Sequence, residues 1–112
     1  MKVEVIRTDG TREEHTIHAK GAGARLAACH RLVNAETFDF VNLHDGRVMG
    51  VDDDGWECEM VNHGNGHIEM VPIRPRKPIN EEATKIYHKV CIPGTTHQIV
   101  GDVVIAYDED FE

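Results

Sequence analysis

The sequence predicts an α+β fold, a single compact domain in which two helices pack on a mostly antiparallel sheet of hairpins. Three observations predict it. Apolar residues recur at helical spacing in only two stretches, Gly21–Val33 and Ala83–Val90. Elsewhere, short apolar runs are separated by Asp-Gly or glycine-rich turns, the pattern of hairpins. Finally, Pro93-Gly94 divides the second helix from an apolar run, Val100 to Ile105, that reads as a strand buried on both faces.

Taken in order, residues 2–8 and 13–18 read as a hairpin. Val3, Val5 and Ile17 are its apolar positions, and Asp9-Gly10 is a type I′-like turn. In Gly21–Val33, Ala22, Leu26, Cys29 and Val33 line one helical face with Leu32 beside them. The glycines before it lack both a dinucleotide fingerprint and a phosphate-loop lysine. A second hairpin joins Phe38, Phe40, Val41 and Leu43 to Val48, Met49 and Val51 through His44-Asp45-Gly46. Asp52-Asp53-Asp54-Gly55 then reads as a solvated acidic turn, because it lacks the ligand spacing of a calcium loop.

A third hairpin spans 56–61 and 67–73. Trp56, Cys58 and Met60 alternate with Glu57 and Glu59, giving one apolar and one acidic face. Pro72, Pro75 and Pro78 make the following segment a stiff, extended crossover. Asn80 is the expected N-cap of the second helix, with Glu81 and Glu82 at its positive end. Ala83, Ile86, Tyr87 and Val90 form its buried stripe.

Composition excludes several functions. A chain of 112 residues with a net charge of -8 lacks the basic footprint of a nucleic-acid binder, so direct binding to DNA or RNA is disfavoured. Serine is absent, which removes any serine nucleophile. The three cysteines, Cys29, Cys58 and Cys91, are odd in number and widely spaced, unlike a disulfide framework. No apolar run is long enough to span a membrane, Met1–Glu4 lacks a signal-peptide character, and a cytoplasmic location is expected.

The charges are uneven. Asp45, Asp52, Asp53, Asp54, Glu57 and Glu59 stand against one base, Arg47, between positions 45 and 59. With Trp56 they form the candidate partner-binding surface. Arg74, Arg76 and Lys77 are the alternative, a basic pocket for a small ligand or nucleotide. Among the eight histidines, His88 and His97 with Cys91 form the candidate zinc set, imidazole and thiolate being zinc's usual ligands. The same residues are the only thiol–imidazole arrangement for catalysis, and Cys91 also extends the buried helix stripe. No cofactor motif is present, and the chain reads as a non-enzyme.

Four segments carry a resemblance to a known family. They are Leu26–Val33, Asn42–Gly55, Ile79–Tyr87 with its Asn-x-x-Ala-Thr-x-x-Tyr helix start, and Ile99–Ile105 with its Ile-Val-Gly-Asp-Val-Val strand. On these the chain resembles a family of small proteins of unknown function carried by phages, plasmids and bacterial mobile regions. The resemblance covers about half of the chain and implies a fold and a genomic habitat, without an activity. It fails between Trp56 and Pro78, where the family passes almost directly from the acidic turn to the capped helix. A hairpin and crossover at 56–78 added to such a scaffold is a natural recognition element. The expected function is therefore that of an accessory protein of a mobile element that binds a protein partner. One version is a host-defence inhibitor that uses its acidic surface, and homo-oligomerisation is left open.

Overall fold

The computed structural model describes residues 1–91 and 93–112. Five strands, β1 (Lys2–Ile6), β2 (Arg12–Thr16), β3 (Phe38–Asn42), β4 (Arg47–Asp52) and β7 (Val103–Tyr107), form one sheet. Its order is β2-β1-β7-β4-β3, with every neighbouring pair antiparallel. The central place of the apolar run is as expected, since β7 lies third of five. It starts later than the sequence suggests. Gly101 adopts φ 76, and Val100 instead makes an isolated bridge with Ile79.

The helices lie on opposite faces of this sheet. α1 (Ala22–Val33) covers the face bearing Val3, Val5, Val104 and Ala106, burying Cys29 and Val33 against them. α2 (Glu81–Val90) covers the other face, with Ala83, Ile86, Tyr87 and Val90 against Ile6, Met49, Val51, Val103 and Ile105. Successive β7 residues therefore enter different cores, which is why that strand is apolar without alternation. The edge strand β2 is polar throughout (Arg12, Glu13, Glu14, His15, Thr16), a composition that discourages further pairing.

The first turn is not type I′. Only Gly10 takes a positive φ, 89°, while the Gly10 amide donates to the Arg7 carbonyl at 3.0 Å. Arg7 N–H donates to Thr11 at 2.9 Å. A left-handed glycine following a tighter turn is the three-residue hairpin solution. The acidic residues after β7 wind into a short 3-10 turn, Asp108–Phe111. It places Phe111 beside the α1 core, where Arg25 Nη1 donates to the Asp110 carbonyl at 2.9 Å.

Asn80 organises the second core from a fully buried position. Its Oδ1 accepts from the Ala83 amide at 3.0 Å, and its Nδ2 donates to the carbonyls of Ile6 and Gly101, each at 3.0 Å. The cap thus joins α2, the end of β1 and the turn before β7. Thr84 extends the seam, since its hydroxyl donates to the Asn80 carbonyl and accepts from the Ile99 amide.

Arg7 plays the corresponding part on the first face. Its guanidinium donates to Glu13, to the Leu32 carbonyl near the end of α1 at 2.9 Å, and to Asp102 at 2.9 Å. These bonds hold the Glu13 carboxyl down at about 2, with the bond from Arg7 the leading cause and that from His15 the next. Arg7→Met is expected to cost about 2 kcal/mol, from lost charge-assisted bonds at a half-buried site. Because Glu13 is depressed, its contribution is present above the ordinary carboxylate value of 4.5 and fades as pH falls toward 2. The gap between native protein and variant in urea denaturation should narrow over that range.

The two remaining strands, β5 (Trp56–Asn62) and β6 (Ile68–Pro75), pair only with each other. They form an arm on a molecule measuring 50 × 27 × 25 Å. β6 takes in Pro72 and Pro75, which the sequence assigns to the crossover. Neither proline costs a ladder bond on a strand whose outer side is open, and a bulge between Glu57 and Cys58 absorbs the irregularity.

Candidate interaction surface

Two opposed charge clusters meet at the base of the arm. Glu57 pairs with Arg74 across the β5–β6 ladder. Asp54 pairs with Arg76 at 3.1 Å, and Asp52 with Lys77. The Glu57 carboxyl is held below its ordinary range chiefly by the Arg74 hydrogen bond. The proposed acidic surface and the proposed basic pocket are thus two sides of one ion-pair ladder.

Individual residues sharpen that result. The Asp52 side chain is 6% exposed and also accepts from the Asp54 amide at 2.9 Å, so this one acid turns inward while Asp53 and Asp54 stay in solvent, as expected of the turn. Lys77 in addition donates to the Asn34 carbonyl at 2.9 Å. Asp45 is held by Arg47, whose bond keeps its carboxyl low. Of the seven residues expected to contact a partner, Asp53 and Glu59 are exposed acids outside these pairs. Trp56 is half-buried, its indole N–H donating to the Gln98 carbonyl at 3.1 Å and its ring 6.0 Å from that of His97.

His88, Cys91 and His97 lie near one another but face different partners. His88 Nε2 lies 2.7 Å from the His97 carbonyl oxygen, and the His97 ring packs edge-on against Tyr87. Among the described residues, no three His, Cys, Asp or Glu side chains are grouped to hold a metal. Cys29 is buried, and desolvation pushes its thiol up to about 11, away from nucleophilic chemistry at neutral pH.

The surface the arm offers is apolar. On one face the opposed pairs are Cys58 with Pro72, Met60 with Met70, and Asn62 with Ile68. The sequence pattern correctly places Trp56, Cys58 and Met60 on one side, and beyond the half-buried Trp56 the structure leaves that side in solvent. Met60 is 69% exposed, Met70 59% and Ile68 57%. The charged residues Glu57, Glu59, Glu69 and Arg74 lie on the opposite face. Sequence reasoning missed this exposure because nothing local says whether an apolar strand face has a cover. A signal for the ladder was present, since Asp52, Asp54 and Glu57 mirror Lys77, Arg76 and Arg74 about the glycine-rich tip.

The base of the arm is fixed to the body at several points. The Trp56 indole donates to the Gln98 carbonyl and Lys77 Nζ to the Asn34 carbonyl, while the buried Gly55 closes the arm's own ladder by accepting from the Arg76 amide at 2.8 Å. At the tip, Asn65 and the two flanking glycines take positive φ, and His63 lies 2.8 Å from Glu69. No family model, curated protein or solved structure matches the chain.

Proposed function

We propose that this chain is a non-enzymatic protein-binding module whose docking element is the β5–β6 arm. The observation that carries the proposal is the row Cys58, Met60, Met70, Ile68 and Pro72, an uncharged strand face exposed on an arm that is fixed at its base. A contiguous apolar face in water is costly to maintain unless something covers it. Methionine suits such a face, because its flexible thioether adapts to a partner's relief.

The ion-pair ladder weighs against the acidic-mimic version, since Asp52, Asp54 and Glu57 already satisfy bases of their own chain. The same pairs weigh against a phosphate pocket built on Arg74, Arg76 and Lys77. The mobile-element setting belongs to this proposal through the sequence resemblance alone.

Capture by the tagged chain of proteins from cells of the source organism, untagged copies of this chain included, tests the reading. Met60→Glu with Met70→Glu is expected to abolish capture, and neutralising Asp53 with Glu59 to leave it nearly intact. Undiminished capture by the methionine variant would remove the arm from the proposal.

A further inference from the structure

Resting on that reading, we infer that the occupant of the arm's apolar face is the same face of a second copy of this chain, stacked so that the two arms run in opposite directions.

The arrangement of side chains supports a self-complementary seat. The Met60–Met70 pair lies in the middle of the face, flanked on one side by Cys58–Pro72 and on the other by Asn62–Ile68. A two-fold axis in the interface, perpendicular to the strands at Met60–Met70, lays Met60 over its counterpart and Met70 over its counterpart. It also lays Ile68 over the other copy's Pro72. Met60, Met70, Ile68 and Pro72 then each have an apolar cover, and Cys58 meets the uncharged Asn62, a self-complementary set of the kind an isologous contact needs. Two stacked two-stranded sheets make a small sandwich with the usual face-to-face spacing.

Area agrees with this occupant, and the arm face is where two like-charged chains can meet with least repulsion. Two chains of net charge -8 repel over most of their surface, and the arm face carries no charged side chain. A foreign partner would be selected by polar groups around the apolar centre. Here the face holds only Asn62, whose Oδ1 already accepts from the Gly64 amide at 2.9 Å. The exposed apolar area is on the order of 500 Å² per arm, so pairing removes about 1,000 Å² in total, near the lower limit for a specific interface. The contact is therefore reversible. Pairing through the open edge of β5 is disfavoured, since an antiparallel β5–β5 ladder brings Glu57 and Glu59 against the other copy's acids.

Sedimentation equilibrium of the full chain tests the inference through charge complementation at one position. The unmodified protein at about 100 µM should sediment as a dimer that dissociates on dilution, the behaviour of an interface of this size. Met60→Glu and Met60→Lys should each sediment as monomers with unchanged circular dichroism, because position 60 is exposed and outside both cores. An equimolar mixture should recover dimer, since the two-fold places residue 60 opposite residue 60. A monomeric unmodified protein, dimers in both single variants, or a mixture that stays monomeric would each overturn the inference. A monomeric unmodified protein whose partner capture is still lost in Met60→Glu would leave the arm as docking element and exclude the second copy. Intact capture would remove both readings together.

Discussion

Asn80→Ala is expected to remove about 4 kcal/mol of folding stability, a large share of the 5–15 kcal/mol typical of a domain. Loss of the N-cap bond to Ala83 accounts for about 1 kcal/mol. The larger part comes from the carbonyls of Ile6 and Gly101, which lose their Nδ2 donor at a fully buried position. Each such orphan costs about 1–3 kcal/mol. Asn80→Asp separates the two contributions. It keeps the cap acceptor and, when ionised, presents a carboxylate to two carbonyl oxygens. That carboxyl would be held above its ordinary value of about 3.9, because its protonated form alone can donate. With a raised folded pKa, the stabilising contribution is full below the ordinary value and is lost as pH rises through the folded one. Urea denaturation should find the Asp variant nearer the native protein at pH 4 and further from it at pH 7. Equal losses at both pH values would contradict the donor role.

Gly55→Ala is expected to cost about 2–3 kcal/mol, the range for overpacking a closed core. A Cβ built on Gly55 falls 2.4 Å from Cγ2 of Val100, a side chain 2% exposed on the segment that bridges to Ile79. The backbone of Gly55 is not left-handed, so the penalty is steric alone. Adding Val100→Ala should therefore recover at least half of the loss, a coupling that a double-mutant cycle reads directly. Additive losses would place the cause elsewhere. The substitution also loosens the arm, because the Gly55 carbonyl receives the Arg76 amide next to the Asp52–Lys77 pair.

The parts of the fold legible in the sequence are those set by neighbours along the chain. Asn80 with two following glutamates announces a helix start, and the stripe Ala83, Ile86, Tyr87 and Val90 announces its buried side. The run Val103–Ala106 betrays a central strand because both of its faces are covered. What sequence could not supply depends on partners far away in the chain. That α1 and α2 take opposite faces follows from the alternate residues of β7 entering separate cores. That Asp52 is an internal counter-ion follows from Lys77, 25 positions on. The arm's alternation was readable, but an apolar face looks the same in sequence whether a core or solvent lies beyond it.

The sheet order carries a consequence for how this chain acquires its structure. β1–β2 and β3–β4 are local hairpins, yet no ladder joins them to each other, and both attach to β7. Glu4 pairs with Ile105 and Met49 also pairs with Ile105, so one late segment closes contacts that reach across nearly the whole chain. Such non-local closure is the slow kind. During synthesis, neither core can be completed before residues 103–107 become available. Until then, the two hairpins hold their apolar faces open. Completion of both cores therefore waits on residues 103–107, and the chain is most vulnerable to aggregation while that segment has yet to pair.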